Sequence, residues 1–269
     1  MVLDGFDAII YRMNYNQQAP AINISKLHIR YNHHWLFNQF DFYLPANQCT
    51  CLLGPSGIGK TTLLRFIAGL QHDKDTEYSG CIITSDDKPL NGRIAYMTQK
   101  DSLLPWLNVL DNVLLGFYLR NEKIDIELEL EQRAHALLEK VGLKYVKNLK
   151  PEKLSQGMRQ RVVLVRTLIE DRQVILMDEP FSSLDTITRL KLQDLTASLL
   201  VNRTIVLVTH DPLEALRLGH CIYIISGSPA KIIHTIKPQG AVPRKVDDPG
   251  LLTEQAKLLQ TLANNEFEI

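Results

Sequence analysis

The sequence predicts an α/β fold: a mixed sheet core with an antiparallel β subdomain and an inserted helical subdomain, on three observations. First, "LLGPSGIGKTTLLRFIAGL", residues 52–70, passes from an apolar segment through Gly54, Gly57 and Gly59 into a pattern that sets Leu63, Leu64, Ile67 and Ala68 on one helical face. That is a strand, a loop and a helix in succession. Second, "GRIAYMTQ", "VILMDEP" and "TIVLVTH" are short apolar or β-branched runs, each ending in polar residues. In open α/β sheets the residues just past a strand's carboxyl end are where ligands bind. Third, between the first and second of these runs, from about residue 101 to 153, the periodicity turns helical, most clearly in "DIELELEQRAHALLEKVGL".

The elements follow in order. Residues 1–20 are polar, contain a second candidate start at Met13 and end at Pro20, so they read as a loose N-terminal extension. From Ala21, "AINISKLHIRY" alternates apolar and polar residues, and "WLFNQFDFYLP" does so again before Pro45 closes it, which predicts two antiparallel strands. "QCTCLLG" is a buried strand feeding the glycine loop, and Gly69 stops the helix beyond it. "RVVLVRTL" conflicts with its surroundings, because Val162 to Val165 have strand propensity. A helix is expected there nonetheless, since Ser155 is placed to start one and a buried helix can be apolar on several sides. "DPLEALRLGH" reads as a helix and "CIYIIS" as a strand, and the tail sets Leu251, Leu252, Leu258, Leu259 and Leu262 near helical spacing. The expected division is an extension over 1–20, a main domain over 21–238 with its helical subdomain at about 101–160, and a helical tail over 239–269.

At 269 residues the chain can bury a core without staples. Lys plus Arg number 30 and Asp plus Glu number 30, so no global field draws in nucleic acid or an acidic membrane surface, and no nucleic-acid partner is expected. Cys49, Cys51, Cys81 and Cys221 show neither C-x-x-C spacing nor a His pair to complete a zinc site, which leaves structural thiols. No apolar run approaches the roughly 18 residues of a membrane span. The first residues lack the basic start and apolar centre of a signal peptide, and the chain reads as cytosolic.

Gly54, Gly59, Lys60 and Thr61 satisfy G-x-x-x-x-G-K-[ST]. Ordinary composition produces this pattern by accident roughly once in a hundred chains of this length. Glycines let the backbone wrap a phosphate with its N–H groups inward, and the following helix N-terminus adds its positive end. The whole loop, Gly54, Pro55, Ser56, Gly57, Ile58, Gly59, Lys60, Thr61 and Thr62, is the candidate phosphate cradle, with Lys60 reaching the phosphates and the Thr61 hydroxyl on Mg²⁺. Asp178 closes "VILMD" where it can hold the same ion, and Glu179 is placed to deprotonate a water for in-line attack.

With these residues in place the chain resembles the ATP-binding subunits of ABC transporters, from about Ala21 to at least Ile225, with the family's parts in order. The resemblance implies a P-loop NTPase of ABC type, an ATP hydrolase that uses ATP and Mg²⁺. It also implies that Tyr31 stacks on adenine, that Gln99 in "YMTQKD" joins the Mg²⁺ site and the catalytic set, and that His210 in "VTHD" contacts the γ phosphate or the water. Taken alone, Tyr31 is a strand aromatic, Gln99 a surface amide and His210 a strand-end histidine. "LSQGMRQR" corresponds to the family's signature, so Ser155, Gln156 and Gly157 are implied to touch ATP held by a second subunit, and Asp185 in "SSLD" to couple the two sites. The chain departs from the usual Leu-Ser-Gly-Gly-Gln at Gln156 and Met158, and "RVVLVRTL" is bulkier than the family's alanine-rich helix. Two such domains facing head to tail would sandwich two ATP molecules, and one complete set of motifs favours two copies of this chain.

"LLPWLNVLDNV" with "LSQGMRQRV" resembles the ATPases of the nitrate, sulfonate and taurine importer group. Within that group, residues 44–70 resemble ATPases assigned to a pyrimidine (hydroxymethylpyrimidine) precursor of thiamine. The resemblance implies integral-membrane permease subunits contacted near Leu103, Leu104, Pro105 and Trp106, residues that read alone fill the core of the helical subdomain, and a periplasmic or extracellular solute-binding protein reached indirectly. It implies a peripheral place on the cytoplasmic face of the inner membrane. The competing readings are a soluble ABC ATPase of DNA repair or the ribosome, and a small-molecule kinase, which would not need "LSQGM" or "SSLD".

Overall fold

The computed structural model describes residues 18–71, 76–120 and 127–266; the expected extension lies, but for its last three residues, outside them. The chain divides into two compact units, and each is built differently.

The first unit, which includes residues 18–94, 173–179 and 201–269, carries two sheets. Strands β1 (Ile22–Tyr31), β2 (His34–Leu44) and β4 (Thr76–Thr84) form an antiparallel sheet in the order β2-β1-β4. Its inward positions, among them Ile22, Ile24, Leu27, Ile29, Phe37 and Phe42, are buried, as the two-residue alternation requires. The second sheet runs β6 (Val174–Asp178), β7 (Thr204–Val208), β3 (Cys49–Leu53), β8 (Cys221–Ser226), β9 (Lys231–Ile236). The first four are parallel and β9 pairs antiparallel, which makes the sheet mixed. Every residue of β3, β6 and β7 is buried, the near-continuous apolar run of a parallel strand covered on both faces. Helices α1 (Lys60–Ile67), α6 (Pro212–Leu218) and α7 (Pro249–Glu266) belong to this unit.

In α7, Leu251 and Leu258 are buried while Leu252 and Leu259 stay about half exposed, so the leucine stripe is only partly used. Arg244, just before it, is 6% exposed and donates to the carbonyls of Leu216, Gly219, Pro238 and Gln239 at 2.6–2.8 Å. One guanidinium thereby satisfies four backbone acceptors and pins the chain leading into the tail.

The second unit includes residues 95–172 and 180–200. Helices α2 (Val109–Arg120), α3 (Glu127–Lys140), α4 (Gln156–Ile169) and α5 (Thr186–Leu199) dominate it. The valine run of α4 is helical as expected: Ser155 caps it, accepting from the Met158 N–H at 3.3 Å, and Val162, Val163, Leu164 and Val165 are all buried. Tertiary burial outweighs the few tenths of a kcal/mol by which each valine disfavours a helix. Strand β5 (Ile94–Met97) spans the point where the chain leaves the first unit.

Candidate functional site

Register places the site. Leu52 of β3 and Asp178 of β6 both pair with Val208 of β7, so three parallel strands end level. The ladder runs one step further, with Glu179 N–H donating to Val208 O at 2.9 Å and Thr209 N–H to Leu52 O at 3.2 Å. The glycine loop, the Asp178–Glu179 pair and the Thr209–His210 pair therefore emerge at one carboxyl edge of the sheet.

Within the loop, two glycines have steric reasons. A Cβ on Gly54 would lie 2.5 Å from the Ile225 carbonyl oxygen. Gly59 has φ 103°, and a Cβ there would meet the Phe37 ring at 2.8 Å. Gly59 also begins α1, whose first turn carries neither a side-chain cap nor an acidic residue, which leaves its N–H groups directed at the loop's concavity. Lys60 is 7% exposed, and its ammonium donates to Gly54 O and Pro55 O, each at 2.7 Å. Burial pushes its pKa down, while Glu179 and Asp178 hold the charge in place.

The Thr61 hydroxyl donates to Asp178 Oδ2 at 2.6 Å. Burial raises the Asp178 pKa, Thr61 and Lys60 oppose that rise, and neighbouring Glu179 adds to it. Glu179 sits at φ 51°, in the left-handed region, with its Oε2 3.4 Å from Nδ1 of His210. His210 is followed by the cap of α6, where Asp211 accepts from Leu213 N–H at 2.9 Å and Glu214 N–H at 3.4 Å. A cavity of about 140 Å³ behind the loop is lined by Gly54, Ser56, His210, Ile225 and Leu262. Lys60, Thr61, Asp178, Glu179 and His210 are thus one connected group, and Tyr31, 43% exposed, stands at the end of β1.

Gln99, Ser155, Gln156, Gly157 and Asp185 belong to the other unit. There Gln99 is exposed and shares a cavity of about 330 Å³ with Gln156, Arg159, Gln160 and Ser183. Gln156 donates its side-chain amide to Ser183 Oγ at 3.1 Å, and the Gln160 side chain accepts from Ser183 N–H at 2.8 Å. Gly157 lies so close to the Ser183 backbone that a Cβ would be 3.3 Å from its carbonyl oxygen. Asp185 caps α5, accepting from Thr188 N–H at 3.0 Å, and that backbone hydrogen bond is the leading cause of its lowered pKa.

Sequence reasoning missed Gln160, which fixes Ser183, and the place of Leu262 in the lining of the cavity behind the loop. The linear pattern marks Leu262 only as part of a helical leucine stripe and Gln160 not at all, since both roles are defined by segments brought together from elsewhere in the chain. The Asp211 cap was legible, as an Asp directly before Pro212 at a helix start.

A protein-family model described as ABC transporter matches residues 37–182, which is more than half of the chain. The chain belongs to the ABC transporter family. An uncharacterized ABC transporter ATP-binding protein of Haemophilus influenzae is 38% identical over 248 residues, covering 91% of this chain and 100% of the relative. A protein of Pseudomonas syringae pv. syringae named aliphatic sulfonates import ATP-binding protein SsuB 1 is 37% identical over 224 residues, 82% of this chain and 87% of the relative. Among solved structures, a dimeric post-hydrolysis state of the ATP-binding cassette MJ0796 bound to ADP and Pi superposes with a TM-score of 0.70 at 26% identity. That match covers 82% of this chain and all of the other. This ABC protein is therefore an ATP-binding, ATP-hydrolysing cassette with the α/β P-loop fold that the sequence predicts. Among its described residues no helix is long and apolar enough to cross a membrane.

Proposed function

We propose that the chain is the ATP-hydrolysing subunit of an ABC importer of small solutes, driving transport by ATP-dependent closure of a dimer. The observation that carries this reading is the connected group Lys60–Thr61–Asp178–Glu179–His210 at one sheet edge. Lys60 and the open N-terminus of α1 hold the phosphate oxygens, where the charge of the transition state is spread. Glu179 takes the proton of a water that attacks the γ phosphorus as the bond to ADP breaks, giving ADP and phosphate. His210, 3.4 Å from Glu179, orients that carboxylate.

The Thr61 hydroxyl and the Asp178 carboxylate form a hard-oxygen donor pair that suits Mg²⁺. Among the described residues no cluster of three or more His, Cys, Asp or Glu side chains is arranged to hold a metal alone. Mg²⁺ is typically held by one or two protein oxygens together with substrate phosphates, so the site fits that ion. When bound, Mg²⁺ neutralises charge on the phosphate oxygens. Gln99 is assigned to the same ion and Tyr31 to the adenine ring.

In the dimer, Ser155, Gln156 and Gly157 at the start of α4 meet ATP held by the partner, and Asp185 couples the two sites. The contact of Gln156 with Ser183 supports this despite the departure from glycine, because the long side chain is drawn onto α5's approach rather than left across the helix start. Relatives named for aliphatic sulfonate import support an importer of the nitrate, sulfonate and taurine group, working with permease subunits at the cytoplasmic face of the membrane. The thiamine-precursor assignment rests on the resemblance of residues 44–70 alone. The relatives lend no support to a role in DNA repair or on the ribosome.

The experiment is the mass of Glu179→Gln by light scattering with and without ATP and Mg²⁺, beside the ATPase rates of mutant and wild type. The expected result is a doubling from 30.6 kDa with hydrolysis lost. A mutant that turns over ATP at the wild-type rate removes Glu179 from the role of base.

A further inference from the structure

The segment after Gln99 folds back on itself and is gripped from α4. The Thr98 hydroxyl donates to Lys100 O at 2.7 Å and lies 3.3 Å from Ser102 Oγ, and Ser102 adopts φ 43°. Asp101, in the bend, has its Oδ2 2.7 Å from Nε of Arg159. Two turns further along α4, Arg166 donates to the carbonyl oxygens of Ser102 at 3.1 Å and Asp101 at 3.5 Å. Arg159 and Arg166 are seven residues apart, which puts them on the same face of the helix, about 10 Å from each other. The far end of the segment is tied to α2, where Asn112 accepts from Leu104 N–H at 2.8 Å and donates to Leu104 O at 3.1 Å.

The two arginines grip differently. The Arg159–Asp101 side chains are 33% and 42% exposed, so that ion pair is screened by solvent and salt. Arg166 binds backbone carbonyls instead of a carboxylate, so its grip depends less on salt; burial lowers its pKa, while Asp101 and Glu170 favour its charged form.

We propose that Arg159 and Arg166 are positioning residues that clamp Asp101 and Ser102 to α4, so that Gln99, at the head of the segment, moves as one rigid piece with Ser155 at the head of the helix. The proposal rests on the assignment of Gln99 and Ser155 as nucleotide contacts. Ser155 lies one turn before Arg159, and Gln99 lies two residues before Asp101. A displacement of the helix start by nucleotide is thereby delivered to Gln99 through a path of a few bonds. Neither arginine needs to touch nucleotide to affect turnover.

The test compares full-length wild type with Asp101→Arg, Arg159→Asp and the double exchange, which restores an ion pair of reversed polarity. Steady-state ATPase is measured against ATP concentration. Each single variant is expected to lose about tenfold in kcat with KM within roughly twofold, and the double variant to recover most of the loss, as directly coupled pairs do. A change confined to KM, or a folded double variant with no recovery, overturns the clamp. A merely structural role would lower Tm without splitting kcat from KM.

A second readout does not depend on turnover. In the Glu179→Gln background, ATP with Mg²⁺ is expected to slow amide exchange over residues 99–104 together with that over 155–160 in the wild-type clamp. In Arg159→Asp the slowing is expected over 155–160 alone. Unchanged joint protection in that variant refutes the clamp. Absence of turnover in wild type would instead count against the proposed function, and the exchange measurement would still decide the clamp.

Discussion

Glu179 combines two features that pull in opposite directions. Its side chain faces His210 at the carboxyl edge of the sheet, and its backbone holds φ 51°, a conformation that costs a non-glycine residue about 1–2 kcal/mol. Strain of this kind persists where surrounding structure over-determines it, here through the bond from Glu179 N–H to Val208 O. Glu179→Gly is therefore expected to abolish ATP hydrolysis while leaving stability at or above that of wild type, by up to about 1 kcal/mol. Denaturant unfolding beside an ATPase assay checks this, and a loss of more than about 1 kcal/mol would show that side-chain contacts of Glu179 outweigh the backbone cost. The "DEP" pattern makes the carboxylates legible in the sequence. The left-handed backbone is not legible, because glutamate has no preference for it.

At the scale of elements, α4 shows how far local propensity carries. Its four consecutive aliphatic residues with β-branching at three of them read as strand, and only the cap at Ser155 and burial on several sides make the run helical. Strands β4 and β9 went unread because their alternation is broken, as in "TEYSGCIIT", which has Gly80 at φ 139° packed against Leu27. The link from β4 to β5 is closed by Arg93, bidentate to Asp86 at 2.6 and 3.1 Å and bonded to Gln173 at 2.7 Å just before β6. That hydrogen bonding takes the Asp86 pKa from 3.8 to about 2. A carboxylate whose folded pKa is depressed contributes stability above its unfolded value and loses it as pH falls through the folded one. The Asp86 contribution is thus full above about pH 5, falls below about pH 4 and is gone only below about pH 2, and it is small because the pair is partly exposed. The difference in stability between wild type and Asp86→Asn is expected to shrink over that window and to be flat from pH 5 to 8.

At the scale of the whole molecule, a ligand that binds only the folded chain stabilises it by mass action. ATP at about 100 times its Kd adds about 2.7 kcal/mol, which for a chain of this size is roughly 5–10 °C in Tm. In Glu179→Gln, where turnover is expected to stop, ATP with Mg²⁺ is expected to give a rise of that order. Lys60→Ala in the same background is expected to give none, since the ammonium that donates to Gly54 O and Pro55 O is the group proposed to reach the phosphates. Differential scanning fluorimetry against ATP concentration reads both, and an equal rise in the two would place the nucleotide elsewhere.

The sequence by itself determined the fold class, the glycine loop, the carboxylate pair after β6 and the order of the motifs. Each of these is a local matter: glycines at fixed spacing before a Lys-Thr pair, a charge after an apolar strand, a hydroxyl at a helix start. Tertiary structure alone decided that Leu52, Asp178 and Val208 lie side by side, that Gln156 turns onto Ser183, and that Arg159 and Arg166 reach the segment behind Gln99. The reason is physical: strand register and helix-to-loop contacts join residues up to 171 positions apart, and the packing that selects them leaves no periodic mark on the chain.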